Sequence, residues 1–532
     1  MLKVYLRSKI QMSLRHRIGL VYLPGALPCF EDFGNLPTDL VHADAKIDGK
    51  PASDVLDMII IPGGSLVESQ SVNKQVSNEI LKMADSRKFV LGICSGFQIL
   101  AKETDVGRLS TIPITREGLG LLDAEFKPLI CTDRVTASVV DRSFLTQEVG
   151  KEVNGFHCHT YGKLLIEKSA RPVIVSHVKM VNYKRDPQDL VSGVANKQGN
   201  VVGVLIHSLL DQNQSIINSI TKSLDIDQVQ LEAIRQANAK LLENIKGEIG
   251  ISTGIRPQNI AMEETPRALM ITALGSGSGK TFIVTGIAGA LKKRGYKVGV
   301  VKVAGDIRDV VPALYLIKEP IKEYSSIKIG ESGWTPLEQV VDQANKKHDF
   351  LIVEGAMGSV TGLLNEKYAR PMSSAEVGVA LGAPTVVIVA CDQEGIEGAL
   401  LNTLNYVNTL RLLGVQVRGV ILNKLYISYM TDEVKQIMQQ AFSRAGVELL
   451  GMVPRLNIMG RGMIPEIEIR YEDFGAEAID AAERHINLDM LEKIAAPAKV
   501  KKVDYSEVTA KFKKLLTDYP SNTYCSDDSG VT

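Results

Sequence analysis

Apolar residues along this chain fall into two alternating patterns. One is a series of short continuous runs that end at glycine or another small residue: residues 17–25 (RIGLVYLPG), 57–64 (DMIIIPGG), 88–96 (KFVLGICSG) and 200–208 (NVVGVLIHS). Runs of four to six apolar residues without polar alternation read as strands buried on both faces, the habit of a mostly parallel sheet. The texture changes near Ile216. Ile226, Leu231, Ile234, Ala237, Leu241 and Ile245 recur at spacings of mostly three or four, which predicts a helix with Gly247 as its stop. Residues 251–268 (ISTGIRPQNIAMEETPRA) have no periodicity and read as a linker. A second strand series follows at 268–275 (ALMITALG), 296–303 (YKVGVVKV), 348–355 (HDFLIVEG), 383–391 (APTVVIVAC) and 417–424 (VRGVILNK), and fades near residue 490. The pattern predicts two different α/β domains, both doubly wound, over residues 17–215 and 266–490. A helical linker over 216–265 joins them, and a surface helix with a frayed tail follows over 491–532.

At 532 residues the chain is too long for a single small binding module. Hydrophobic residues at 45% and charged residues at 23% give the balance of a soluble globular protein. Sixty-one basic residues offset 61 acidic ones, so neither nucleic acid nor an anionic membrane is expected as a partner. The longest apolar stretch, residues 377–391, is broken by Gly and Pro and falls short of the roughly 20 residues a membrane span needs. The N-terminal segment is basic without an apolar stretch before a cleavage site, so no signal peptide is expected in it. Six cysteines at 29, 94, 131, 158, 391 and 525 include no Cys-x-x-Cys pair. That favours a reducing, cytoplasmic setting over a disulfide framework or a zinc knuckle.

Two stretches carry chemistry. The strand at 268–273 runs into Leu274-Gly275-Ser276-Gly277-Ser278-Gly279-Lys280-Thr281, and a helical pattern follows. Strand, glycine-rich loop, Lys-Thr and helix form a phosphate-binding context, in which backbone N–H groups close around phosphate oxygens at a helix N-terminus. Lys280 is then placed to reach β/γ-phosphates and the Thr281 hydroxyl to ligate Mg²⁺. Glu354 ends a buried strand, where ligands bind in open α/β sheets, and is read as a second Mg²⁺ ligand. Lys302, Asp306 and Asp309 follow the second strand of this half. Two Asp residues three apart share one face of a helical turn, which suits metal or substrate work; a helix N-cap beside a solvated Asp is the alternative. In the first half, Cys94 stands where an apolar strand meets a helix between small residues, the setting of a nucleophile elbow whose helix N-terminus lowers a thiol pKa.

The second half resembles the ATP-dependent amidoligase domain of the dethiobiotin-synthetase superfamily, and within it the cobyrinic acid a,c-diamide synthase family. The resemblance rests on the phosphate loop, Lys302-Val303-Ala304-Gly305-Asp306-Ile307-Arg308-Asp309, Glu354-Gly355-Ala356-Met357-Gly358, Ser373-Ser374-Ala375 and Asn423-Lys424, over about residues 267–460. Ala273 stands where that family has the first loop glycine, and no Arg-Asn-Leu-Asp segment follows Asp309. The first half, over about residues 17–215, resembles class I glutamine amidotransferases of the cobyric and cobyrinic acid type, a flavodoxin-like fold. Here the carriers are Ile61-Pro62-Gly63-Gly64, Leu91-Gly92-Ile93-Cys94-Ser95-Gly96-Phe97-Gln98, Gly155-Phe156-His157-Cys158-His159 and Gly203-Val204-Leu205-Ile206-His207-Ser208.

The resemblance implies that Cys94 attacks the glutamine amide while His207 moves the proton. It also implies that Gly63, Gly64, Ser95 and Gln98 form the oxyanion hole and glutamine pocket. Leu209 stands where many class I members carry a Glu, so another group must orient His207. His157 and His159 are read as structural or pocket residues, not as a metal pair. In the ligase half, Gly275, Ser276, Gly277, Ser278, Gly279, Lys280, Thr281, Lys302 and Asn423 would bind ATP. Asp306 and Asp309 would activate the acceptor, and Thr281, Asp306 and Glu354 would hold Mg²⁺. The implied reaction is ATP- and glutamine-dependent amidation of a tetrapyrrole polycarboxylate through an acyl phosphate. Cobyrinic acid a,c-diamide synthesis is the first expectation; cobyric acid and nickel-sirohydrochlorin a,c-diamide synthesis are the alternatives. Glutaminase before ligase reverses the order expected of the family, and a homodimer is compatible with it. Two readings of another class are an ATP-binding regulatory protein with an inactive glutaminase and a metallochaperone-type GTPase. Asn423-Lys424-Leu425-Tyr426 lacks the guanine-reading Asp, which counts against the second.

Overall fold

A computed structural model describes residues 14–167, 169–255, 266–304, 306–365, 369–392, 394–457 and 470–517. Residues 1–13, 256–265 of the linker, Gly305 and 518–532 of the tail lie outside the described residues. The chain divides into two compact units, and the division does not follow the chain in a single cut. The described part of the first unit is 14–252 with 306–322 and 470–477; the second holds the remainder.

The first unit is built on a ten-stranded sheet. Its strands are β1 (Ile18–Val21), β2 (Asp39–Val41), β3 (Met58–Ile61), β4 (Phe89–Ile93), β5 (Arg134–Val139), β6 (Glu152–His157), β7 (Ala170–Val181), β8 (Lys184–Asn196), β9 (Val201–Val204) and β10 (Ile206–His207). They lie in the order β10-β6-β5-β7-β8-β9-β4-β3-β1-β2. From β9 to β2 every pairing is parallel, and all four positions of β1, β3 and β9 are buried. β1, β3, β4 and β9 are the four apolar runs read from the first half of the sequence. The remaining strands pair antiparallel. The apolar runs do not predict this antiparallel extension, although β5 alternates exposed and buried positions over its first four residues, the period-two signal of a half-buried strand.

Helix α1 (Ser95–Leu100) follows β4 directly and is buried along its whole length. Its Phe97 ring packs edge-on to Phe126 with centroids 4.8 Å apart and lies over Gly203 of β9, where an added Cβ would come within 1.9 Å of the ring. The predicted helix after Ile226 is α2 (Gln228–Glu248), capped by Asp227, whose side chain accepts from Gln230 N at 2.8 Å. It continues past Gly247 to Glu248, because Ile245 and Ile249 are both buried and hold the last turn. Leu231, Ile234 and Leu241 face inward, and Asn238 Nδ2 donates to Pro37 O at 2.8 Å, so α2 packs on the first unit.

The second unit carries a sheet of β11 (Arg267–Ala273), β12 (Val298–Val303), β13 (Ser326–Ile327), β14 (Phe350–Glu354), β15 (Thr385–Ala390), β16 (Val417–Leu425) and β17 (Glu448–Pro454). Their order is β13-β12-β14-β11-β15-β16-β17, parallel throughout. A strand β18 (Ala496–Pro497) adds antiparallel to the start of β11. The helix Tyr505–Thr517 buries Val508 against the same core, with Phe512 and Leu515 half-buried beside it. It is the surface helix that the sequence predicts, held by one apolar stripe. Among the described residues no helix is long and apolar enough to cross a membrane.

Gly203→Ala tests the contact that seats α1 against β9. We expect a loss of about 1–3 kcal/mol, read as a lowered urea midpoint at constant slope; an unchanged midpoint would show that α1 is free to move away from the sheet.

Candidate active sites

Cys94 is the hinge between β4 and α1. Its backbone has φ 51° and ψ −108°, a sparsely populated conformation for a side-chain-bearing residue that persists only where the surroundings enforce it. Here they do: Cys94 N donates to Val204 O at 2.8 Å and Cys94 O accepts from Gln98 N at 3.1 Å. The turn directs the thiol toward Cys158 O, 3.6 Å away. Ser95 opens α1, so its N–H is one of the first-turn amides that have no acceptor within the helix. Gln98 Nε2 donates to Tyr161 O at 3.3 Å.

The Gly63-Gly64 pair explains itself by space. A Cβ on Gly63 would lie 2.7 Å from His207 Cε1 and 3.5 Å from Cys94 Cβ. Gly64 has φ +136°, and a Cβ there would meet Gly25 O at 2.0 Å. Only glycine lets this backbone approach the Cys-His pair so closely.

His207 is buried, and Glu31 is the group that orients it. His207 Nδ1 bonds Glu31 Oε1 at 2.9 Å, and Ser208 N donates to Glu31 Oε2 at 2.6 Å. Both side chains are almost fully buried, at 2% and 1% exposure. Burial by itself disfavours the imidazolium. The Cys94 sulfur and the Glu31 carboxylate outweigh it and lift His207 to about 10. A bond at Nδ1 leaves Nε2 to face Cys94. Phe30 and Phe156 flank the ring at centroid distances of 4.9 and 5.3 Å. Asp211 fixes the loop that delivers Glu31, accepting from Asp32 N at 3.0 Å and Gly34 N at 2.7 Å. Burial and the nearby Glu31 charge push Asp211 up to about 6.

No sequence spacing names the orienting group of His207, because 176 residues separate it from Glu31. The available signal was an acidic pair, Glu31-Asp32, inside an otherwise apolar and aromatic stretch (LPCFEDFGNL). His157 and His159 bond one another, with Nδ1 to Nε2 at 2.9 Å. Burial holds both below the usual imidazole range, His159 at about 3. Among the described residues no group of three or more His, Cys, Asp or Glu is placed to hold a metal ion.

In the second unit, helix α3 (Lys280–Lys293) starts at the glycine-rich loop with Gly279 as its N-cap. Gly279 has φ +83°, and a Cβ there would sit 2.3 Å from Asn423 Nδ2; that amide instead donates to Ser278 O at 2.9 Å. Gly275 and Gly277 have open space where a side chain would be. Lys280 Nζ folds back over the loop to Met357 O at 2.8 Å and Gly275 O at 3.4 Å. The parallel register sets Lys302 of β12 beside Glu354 of β14. Lys302 Nζ lies 2.9 Å from Glu354 Oε1, and both side chains are buried. Thr281 Oγ1 donates to the same oxygen at 3.1 Å. Ser374 ties down the following loop by accepting from Ala356 N at 2.9 Å.

The structure thus brings together Cys94, His207, Gly63, Gly64 and Ser95 in the first unit, and Lys280, Thr281, Lys302, Glu354 and Asn423 in the second. Of the three sequence-derived metal ligands, Thr281 and Glu354 meet. The Asp306 carboxylate is taken within the first unit by Arg308 and Tyr183.

Residues 17–215 match the family described as CobB/CobQ-like glutamine amidotransferase domain. Residues 269–462 match the CobQ/CobB/MinD/ParA nucleotide binding domain. Hydrogenobyrinate a,c-diamide synthase of Mycobacterium bovis is 30% identical over 231 residues, which are 42% of this chain and 48% of that protein. Cobyrinate a,c-diamide synthase of Streptococcus sanguinis is 30% identical over 247 residues, 44% of this chain and 51% of that protein. Cobyric acid synthase of Clostridium botulinum is 32% identical over 177 residues, 31% and 33%. The chain spans about half the length, or less, of these relatives.

Two predictions follow from this geometry. In wild-type protein the His207 imidazolium persists at low and neutral pH and is lost as pH rises through about 10. Glu31→Gln removes a charge that favours the imidazolium, so this titration should move down by roughly one unit or more, followed by the imidazole carbon resonance in histidine-labelled protein. An unmoved titration would rule out Glu31 as its partner. Lys302→Met removes the cation beside buried Glu354 and should cost about 3–5 kcal/mol in urea unfolding; a loss below about 1 kcal/mol, the scale of an exposed pair, would show that water reaches the pair.

Proposed function

We propose, from its matches to a CobB/CobQ-like glutamine amidotransferase domain and a CobQ/CobB/MinD/ParA nucleotide binding domain, that the chain is an ATP-dependent amidoligase using glutamine to amidate tetrapyrrole carboxylates. The observation that supports this most directly is the Cys94–His207–Glu31 set, in one chain with a glycine-rich loop that ends in Lys280-Thr281 at a helix N-terminus. A cysteine elbow with a buried, carboxylate-oriented histidine is equipped for acyl transfer.

In the first half-reaction the Cys94 thiolate attacks the side-chain carbonyl carbon of glutamine. The Gly64 and Ser95 amides are the candidate donors to the oxyanion. Imidazolium His207 returns a proton to the departing nitrogen, ammonia leaves, and water then hydrolyses the thioester to glutamate. In the second, an acceptor carboxylate oxygen attacks the terminal phosphorus of ATP, releasing ADP; ammonia then displaces phosphate from the acyl phosphate to give the amide.

The residues of the second unit fit a nucleoside triphosphate and its divalent cation. Gly275 and Gly277 leave the loop concavity unfilled, and Lys280 already bridges carbonyls across the loop. Thr281 and Glu354 place a hydroxyl and a carboxylate 3.1 Å apart, a hard-oxygen pair suited to Mg²⁺. Bound there, Mg²⁺ would neutralise charge on the transferring phosphoryl group. Lys302 holds the Glu354 carboxylate in position, and Asn423 fixes the loop through Ser278 O.

Among acceptors we favour cobyrinic acid, amidated at two side chains, because the Glu-Gly-x-Met-Gly and Lys-Val-x-x-Asp-x-x-Asp segments resemble that branch. The test is mass spectrometry of the products formed from ATP, Mg²⁺ and glutamine with cobyrinic acid, its a,c-diamide and nickel-sirohydrochlorin. Two amide mass steps on one acceptor are expected. They should disappear in Cys94→Ser and return with added ammonium. Amidation of only the a,c-diamide would favour a cobyric acid synthase, and no amidation of any acceptor would overturn the tetrapyrrole assignment.

A further inference from the structure

Beside Cys94 lies a cavity whose charged lining, among the described residues, consists of Glu68, His207 and Arg308. The geometry points to Arg308 as the residue that seats the α-carboxylate of the glutamine substrate, with Asp306, Tyr183 and Thr160 holding its guanidinium in place. This rests on the glutaminase reading of the first unit.

Three segments of the first unit fix Arg308. Asp306 caps the short 3-10 turn Ile307–Val310, accepting from Arg308 N at 3.1 Å. The same carboxylate receives Arg308 Nε at 2.7 and 2.9 Å and a bond from Nη2. Tyr183, in the turn between β7 and β8, donates its hydroxyl to Asp306 Oδ2 at 2.9 Å and accepts from Arg308 Nη2 at 3.0 Å. Thr160 Oγ1 accepts from Nη1. A guanidinium has five N–H donors. The described bonds use Nε–H, both Nη2 hydrogens and one on Nη1, which leaves one Nη1 hydrogen for a ligand. Burial opposes the guanidinium charge, but the Asp306 carboxylate outweighs that opposition and the side chain stays cationic.

The spacing matches glutamine. The Cys94 thiol points at Cys158 O, and Arg308 is bound two residues further along, at Thr160. Two residues of extended chain span at most about 7 Å, and the four bonds from Cδ to the carboxyl carbon of glutamine span about 5 Å. The two spans are of the same order, so a glutamine with its amide carbon at the thiol extends its α-carboxylate along the cavity toward Arg308. Glu68 supplies the opposite charge in the same cavity, for the α-ammonium group. Beside the His207 imidazolium, one guanidinium and one carboxylate line the cavity around the nucleophile, which suits a zwitterionic amino acid, and arginine is the side chain best matched to a carboxylate. Asp306 on this view serves glutamine binding through Arg308 and not acceptor activation.

The test uses 6-diazo-5-oxo-L-norleucine on the full chain. This analogue keeps both charged groups of glutamine and alkylates a catalytic thiolate: the sulfur–carbon bond forms, dinitrogen leaves, and the diazo carbon takes one proton. Cys94 labelling is followed by mass spectrometry. Arg308→Met should raise the concentration for half-maximal labelling rate by ~10–100-fold, the effect of a lost charge-assisted hydrogen bond. Arg308→Lys should fall between Met and wild type, and Tyr183→Phe should weaken binding in the same direction. Iodoacetamide, which carries neither charged group, should still alkylate Cys94 of Arg308→Met, showing that the fold and thiol survive. If wild-type Cys94 is labelled and Arg308→Met saturates at the same concentration, the assignment of Arg308 falls while the glutaminase reading stands. If the analogue fails to label wild-type Cys94, both fall.

Discussion

Parallel strands that end together impose the layout of both units. At the carboxyl edge of such a sheet the ladder of backbone hydrogen bonds runs out, and the next helix presents amides that nothing in the chain satisfies. Cys94 and Ser95 stand at that edge after β4, and Gly63-Gly64 after β3. The phosphate loop stands there after β11, and Glu354 ends β14. The chemistry differs, a thiol and imidazole in one unit and a lysine, threonine and carboxylate in the other. On the proposed reading, the anion to be stabilised, an oxyanion or a phosphate, would meet helix-terminal amides in each case.

Burial then decides the charge states. His207 is raised because Cys94 and Glu31 surround a ring that water does not reach. His157 and His159, equally buried but facing each other and not a carboxylate, go the opposite way. Three histidines of one unit thus divide into one cation and two neutral rings. The same logic joins Lys302 to Glu354, where neither charge would be tolerated alone at that depth.

Much of the site was legible because its parts are local. A strand, a turn and a helix within fifteen residues prescribe their own geometry, so the elbow around Cys94 and the loop from Gly275 to Thr281 stand out from the sequence unaided. Glu31 was not legible in this way. Its role depends on a loop fixed by Asp211, and no spacing rule links residues 31 and 207. Asp306 was legible as an important carboxylate but not in its partner. The Asp-x-Arg-Asp segment is compatible with several roles, and only the neighbourhood of Tyr183 and Thr160 selects one.

By itself the sequence determined the two α/β folds, the parallel core strands and the residues whose function lies in their own backbone turn. Those features follow from hydrophobic periodicity and short-range sterics, which each segment carries wherever it is placed. Tertiary structure alone decided the antiparallel extension of the first sheet, the docking of α2 and the helix Tyr505–Thr517, the carboxylate behind His207, and the direction in which Arg308 points. Each of these is a choice among partners distant in the chain, made by burial and charge compensation, and neither quantity exists until the chain is packed.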